Sequence, residues 1–313
     1  MGAEREVRIG LVGCGRLAAR GYMPALQRAT GVRLAAVADV DRARAAALAA
    51  GVPLYDSARA LVAAGGIDAV VVATPTRCHV ADASAAADAA LPALVEKPPG
   101  LDAAEAARLA ALRPAPRIGF NRRFDPELVR LREDLASTAG VELLVEMRYR
   151  RRAWQPFDMR DDALLDLAPH LIDLTRWLTR GEIARVRTRT LTPLRAVFEL
   201  ELSEGRAFVH CAADRVFSER VEIRDGRRRL VARYRRGGLA RAVLDRLKPW
   251  TESALVSTMA RQLDAFGRWI RHGGDTALAT AADGVAVMAT IDAVRRSAAA
   301  AGWCRIEEPE ATR

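Results

Sequence analysis

Lysine is nearly absent from this chain: Lys97 and Lys248 stand against 47 arginines among 313 residues. That bias points to a GC-rich, bacterial genome that writes Arg wherever charge alone is needed. A lysine ammonium, unlike a guanidinium, can give up and regain its proton when buried. Lys97, within Glu96-Lys97-Pro98, is therefore read as retained for chemistry, and Lys248, beside Pro249, as chance. Cysteine is scarce as well. Cys14, Cys78, Cys211 and Cys304 lack CxxC spacing, which argues against a disulfide framework or a zinc site and suits a reducing cytoplasm. Only four histidines occur, so no metal centre is expected, and His210 and His272 are read as structural. No apolar run reaches the roughly 18 residues a bilayer span needs, so no membrane partner is expected. The charged start, Met1 to Glu6, leads straight into a strand and does not read as a signal peptide.

What is abundant is positive charge, a net +10, interleaved with 39 acidic residues. The densest runs, Arg148 to Arg152 and Arg227 to Arg236, lie in segments that alternate like strands. They are read as solvated sheet faces, with no nucleic-acid partner expected; an anionic sugar derivative is the milder consequence of such a field.

The chain has two rhythms. Up to about residue 121, short apolar runs alternate with Ala-rich helical stretches: strands at 7–12, 33–38, 67–73, 93–96 and 117–120, and helices at 17–28, 41–50, 57–64, 79–90 and from Asp102. This predicts an α/β domain with a doubly wound parallel sheet over residues 1–121. From Val141, segments at 141–152, 184–192, 196–203, 207–213, 219–224 and 228–235 alternate apolar with charged residues. Helices are expected at 164–178, 251–271 and 280–301. The second half, 122–313, is thus predicted to be an α+β domain with an open, mostly antiparallel sheet.

Gly13-Cys14-Gly15-Arg16-Leu17-Ala18 follows the first strand and opens the first helix, a G-x-G-x-x-A loop. Gly13 permits the tight turn, Gly15 lets a pyrophosphate approach the backbone, and Ala18 lets helix and strand pack closely. The helix N-terminus offers N–H groups to phosphate. Asp39, 21 residues past Ala18, ends the second strand, where a carboxylate would bond an adenosine ribose. It favours NAD over NADP, although Arg42 and Arg44 stand ready for a 2′-phosphate. Thr74-Pro75 with His79, Glu96-Lys97 and Asn121 follow three further strands, on the rim where open α/β sheets bind ligands. Asp166 and His170 stand four apart in one helix, with Asp173 three beyond, so they share a face. A carboxylate beside an imidazole suits proton transfer.

These motifs, with Gly119-Phe120-Asn121-Arg122-Arg123-Phe124, Leu164 to Asp173 and a closing Asp283-Gly284 helix, resemble the glucose–fructose oxidoreductase/inositol dehydrogenase (Gfo/Idh/MocA) family over essentially the full length. The resemblance implies hydride transfer between a nicotinamide and a carbon of a sugar, cyclitol or nucleotide-linked sugar. It implies that Lys97 contacts the reacting oxygen, that His170 moves the proton, and that Asp166 positions one of the partners. Gly13, Cys14, Gly15, Arg16, Leu17, Asp39, Thr74, Pro75, His79, Glu96 and Asn121 fall on the dinucleotide side. It further implies a homo-oligomer, a dimer or tetramer, built on the sheet face. Arg160-Asp161-Asp162 and Ala168-Pro169 depart from the family's glycine-rich run and small-residue pair, which puts the familiar substrates in doubt. The competing readings are a lyase or hydrolase that oxidises a glycoside transiently with retained NAD, and a non-catalytic dinucleotide sensor.

Overall fold

A computed structural model describes residues 5–135, 140–149, 163–238, 250–274, 277–307 and 309. The Arg160-Asp161-Asp162 departure, Arg150 to Arg152 and Lys248 lie outside the described residues. In chain order the first elements are β1 (Val7–Val12), α1 (Met23–Arg28), β2 (Val32–Ala38), α2 (Arg42–Leu48), β3 (Leu54–Tyr55), α3 (Ala58–Ala64) and β4 (Ala69–Val72). There follow α4 (His79–Asp88), β5 (Ala93–Val95), α5 (Ala103–Ala111), β6 (Arg117–Ile118), α6 (Pro126–Asp134), β7 (Val141–Arg148) and α7 (Ala163–Thr179). Then come β8 (Ile183–Thr192), β9 (Arg195–Leu202), β10 (Gly205–Ala212), β11 (Ser218–Arg224) and β12 (Leu230–Gly237). The last are α8 (Ala254–His272), β13 (Ala279–Thr280), α9 (Ala281–Ala300) and β14 (Trp303–Arg305).

The chain divides into two compact units. The first takes Met1–Asp125, Pro249–Val285 and Glu310–Arg313. Its seven-stranded sheet runs β13-β6-β5-β4-β1-β2-β3, parallel throughout except for the antiparallel edge strand β13. The central strands are mostly apolar, as a sheet covered on both faces requires: Ile9, Leu11, Val70, Val72 and Leu94 are all fully buried. Side-chain oxygens start the crossover helices. Asp41, Ser57 and Asp102 accept from the N–H groups of Arg44, Ala60 and Glu105. The helix expected at 17–28 is one rod with a flaw. Ala18–Tyr22 forms a wide π-turn, closed by the Met23 N–H to the Ala18 carbonyl, before α1 resumes the α-helical pitch with Pro24 in its first turn.

The split at 121 misplaces α8. Its apolar face (Val256, Met259, Leu263, Phe266) is buried in the first unit's core among Tyr22, Ala25, Val32 and Phe124, so the chain returns to that unit after residue 249.

The second unit, Pro126–Lys248 and Ala286–Pro309, carries a sheet ordered β12-β11-β7-β10-β9-β8-β14. Its pairings are antiparallel except β7–β10, which is parallel because α7, β8 and β9 intervene in the chain. Gly205 is required where β9 turns into β10: its φ is +115°, and a Cβ there would collide with the Val141 carbonyl. α7 packs on β7, β9 and β10. Charged side chains are laced into ion pairs along the sheet, with Glu146 2.7 Å from Arg148 and Glu222 3.3 Å from Arg235. Among the described residues, no helix is long and apolar enough to cross a membrane.

Candidate active site

In the first unit, β1 delivers the chain into Gly13, whose N–H donates to the Ala38 carbonyl at 2.8 Å. Gly13 has φ +94°, and a Cβ there would lie 2.7 Å from the Ala73 carbonyl carbon and oxygen, so no larger residue fits. At Gly15 the opposite holds: nothing lies within 4 Å of a notional Cβ. That open backbone beside a helix start is the space a pyrophosphate needs. Ala18 is fully buried, as close helix packing demands.

Asp39 sits at the end of β2 with its side chain 8% exposed. Its Oδ2 accepts the Cys14 N–H at 2.7 Å, and its Oδ1 accepts the Asp41 N–H at 2.8 Å and the Arg44 guanidinium at 3.2 Å. The carboxylate thus fixes the glycine loop and keeps lone-pair capacity on Oδ2 for one more donor. Cys14 is on the loop, but its N–H is spent on Asp39, and burial, then the Asp39 charge, pushes its thiol up to about 11. It is a packing residue. Arg16 and Leu17 occupy the first helical turn after Gly15 and are half-buried.

Beyond β4, the Thr74 hydroxyl donates to Asp82 at 2.7 Å, and the Thr74 carbonyl faces His79 Nε2 at 2.9 Å. Pro75 stands between them, exposed. His79 Nδ1 lies 3.0 Å from the Pro98 carbonyl. Both ring nitrogens are therefore turned inward in a residue only 1% exposed. His79, expected on the dinucleotide side, thus has its ring between the Thr74-Pro75 and Lys97-Pro98 loops, where the neutral form donates its single N–H to one of the two carbonyls. Two carbonyls would favour the charged ring, but the loss of hydration outweighs them and pulls its pKa down to about 4.

Glu96 is buried too. Its Oε1 accepts the Tyr22 hydroxyl at 2.6 Å and its Oε2 the Lys97 N–H at 3.1 Å. This carboxylate, expected on the dinucleotide side, is used inside the protein instead. Lys97, one residue on, is half-buried. Asn121 is buried and donates to the Thr258 hydroxyl of α8 at 3.1 Å. The sequence reading missed Tyr22, Asp82 and Thr258. A lone tyrosine in an Ala-rich helix was the available signal for the first; the other two reveal themselves only through contacts.

The first unit thus gathers the glycine loop, Asp39, the Thr74 loop and Lys97 along the carboxyl ends of neighbouring parallel strands. The Asp166–His170 pair belongs to the second unit, on the first two turns of α7, with both side chains half-buried and Asp173 fully buried. Pro169 lies inside the helix between them and supplies no N–H to the ladder. The start of α7 is held by the Ala163 N–H on the Pro193 carbonyl at 3.0 Å.

Residues 7–115 match the family model described as an oxidoreductase family with an NAD-binding Rossmann fold. Over these residues the chain is similar to the Gfo/Idh/MocA oxidoreductases. Inositol 2-dehydrogenase 4 of Saccharopolyspora erythraea is 35% identical over 60% of this chain and 58% of that protein. The rhizopine catabolism protein MocA of Rhizobium meliloti is 36% identical over 58% of this chain and 60% of its own length. The chain therefore aligns with less than two thirds of these relatives. The fold likeness extends further. Scyllo-inositol dehydrogenase of Lactobacillus casei, solved with NAD(H) and scyllo-inositol, superposes with a TM-score of 0.79 over 96% of this chain and 99% of that one, at 18% identity. The likeness in fold thus takes in both the parallel Rossmann sheet and the open, mostly antiparallel one.

Proposed function

We propose that this protein is an NAD-dependent dehydrogenase or reductase acting on a CH–OH group of a cyclitol or sugar. The observation that carries the reading is the open backbone at Gly15 with Asp39 locked beneath the same loop. NAD bound there would supply the hydride acceptor or donor. The residues fit such a group: Gly15 leaves room for phosphate, and Asp39 Oδ2 has capacity for a ribose hydroxyl. Thr74, Pro75 and Asn121 complete the dinucleotide side of the reading. The inositol dehydrogenases among its relatives support a polyhydroxylated ring as substrate.

Lys97 acts as the cation that donates to the reacting oxygen, stabilising it as it becomes alkoxide-like. His170 takes the hydroxyl proton in oxidation and returns it in reduction, and Asp166, one turn earlier on the same face, orients substrate or imidazole. The charged sheet of the second unit is the face on which a homodimer or tetramer would form, and the four cysteines, none of them in a disulfide, suit a reducing cytoplasm.

Titration of the cofactor-free protein with NADH and NADPH, followed by nicotinamide fluorescence, tests the reading. NADH is expected to bind more tightly, because Asp39 repels a 2′-phosphate. With inositols and aldoses as a substrate panel, Lys97→Ala should lower kcat by about a hundredfold or more while leaving NADH affinity nearly unchanged. Binding of neither dinucleotide would sink the dehydrogenase reading; full turnover in the variant would sink the role of Lys97.

A further inference from the structure

Tyr22 and Glu96 form a buried pair that hydride transfer does not itself require. Tyr22 is fully buried at the end of the π-turn, and Glu96 is 6% exposed. Burying a carboxylate costs several kcal/mol unless donors replace its water. Two are supplied: the Tyr22 hydroxyl at 2.6 Å, a length typical of O–H bonds to an ionised acceptor, and the Lys97 N–H at 3.1 Å. Space is supplied too. A Cβ at Gly119 would lie 3.1 Å from the Glu96 carboxyl carbon and Oε1, so the strand end opposite has been kept clear of a side chain.

The charges around the pair point the same way. Burial pushes the Glu96 pKa up, while the Tyr22 hydroxyl, the Lys97 charge and the Lys97 N–H draw it back. Tyr22 is raised well above the usual phenol range, first by burial and then by Glu96, so it remains a donor. His79, from α4, feels the Lys97 charge as well but is held neutral, and Asp82 is tied to Thr74. Glu96 is thus coupled to Lys97 both by a hydrogen bond to its backbone N–H and by charge.

We propose that Tyr22 and Glu96 are positioning residues for Lys97: the phenol keeps Glu96 ionised, and ionised Glu96 fixes the Lys97 backbone while balancing its ammonium. The consequence for turnover rests on the dehydrogenase reading; the geometry of the trio does not.

The scarcity of lysine provides the test. Protein labelled with [15N]lysine has only two lysine backbone amides, and Lys248→Arg identifies that of Lys97. In the wild type the Lys97 amide shift should titrate with a midpoint above 4.5, reporting Glu96 through their hydrogen bond. Glu96→Gln should abolish that inflection. Tyr22→Phe should move it upward by about one pH unit, as loss of a hydrogen bond to the charged form demands. Turnover of Tyr22→Phe should fall about tenfold in kcat with NADH affinity within twofold, a split that general loosening of the fold would not give. If Tyr22→Phe does not fold, the wild-type and Glu96→Gln amide titrations still decide whether Glu96 holds Lys97. A Lys97 amide indifferent to pH, or an unchanged midpoint in Tyr22→Phe, overturns the proposal. Unchanged kcat in a folded Tyr22→Phe overturns its catalytic half. A wild type without turnover on any substrate, but with the amide titration as expected, counts against the dehydrogenase reading alone.

Discussion

At His79 the side chain's type was legible in the sequence and its task was not. A histidine one turn beyond Thr74-Pro75 at a strand end reads as a ligand contact, yet both ring nitrogens face backbone carbonyls inside the first unit. The protonation of this ring has a measurable consequence. In the unfolded chain its pKa is near 6.5, and in the folded protein about 4. Between those values the unfolded chain takes up a proton that the folded chain refuses, so stability falls as pH is lowered from 6.5 to about 4. The total lost is about 3 kcal/mol. Urea unfolding at pH 7 and pH 4.5 should show this, and His79→Gln should reduce the loss between the two by about 2 kcal/mol. An equal loss in both proteins would mean the two carbonyls hold the ring charged after all. Gly13 was more fully legible, because a tight turn at positive φ follows from local sequence; the bonds of Asp39 to Cys14, Asp41 and Arg44 were not part of that reading. Tyr22 and Glu96 were not, because their meeting depends on tertiary contact between residues 74 apart in the chain.

Elements were read to within a residue or two where a cap or a long apolar run marked them. Asp102 is such a mark. Its Oδ1 accepts the Glu105 N–H at 2.8 Å, while Glu105 returns a bond to the Leu101 N–H at 2.9 Å. The reciprocal arrangement satisfies two otherwise open donors at the start of α5. Asp102→Ala should therefore cost about 1 kcal/mol, visible as a lower urea midpoint with an unchanged m-value. No change would mean that α5 is held by packing alone. What escaped the sequence were the short pieces, β3, β13 and β14, each two or three residues long. Strands of that length present too few alternations to set a period, and only their partners define them. The helix expected at 17–28 hid its π-turn for a related reason: one extra residue per turn barely alters an Ala-rich pattern.

For the whole molecule, the rhythm of the sequence correctly separated a parallel α/β sheet from an open, mostly antiparallel one, but it could not say which sheet the last helices would join. An amphipathic pattern shows that α8 buries a face, never against what. The structure answers that question within the first unit. Asp264 accepts the N–H groups of Thr30 and Gly31 at 2.8 and 3.0 Å, Arg271 donates to the Gly31 carbonyl at 2.7 Å, and Thr258 receives Asn121. Gly267 lets α8 approach the start of β2 so closely that a Cβ there would lie 2.8 Å from Val32. Burial of Val256, Met259, Leu263 and Phe266 contributes about 1.5–3 kcal/mol each, or about 6–12 kcal/mol together, as much as the whole stability of an ordinary domain. A fragment ending at residue 125 holds every strand of the dinucleotide sheet except β13, and the complete glycine loop. It is nevertheless expected to lack a cooperative thermal transition and to bind no NADH, because Tyr22, Ala25 and Phe124 would face water where α8 belongs. Calorimetry and fluorescence titration of that fragment beside the full chain make the comparison. A fragment that melts cooperatively and binds NADH would show that α8 merely covers a core that is already self-sufficient.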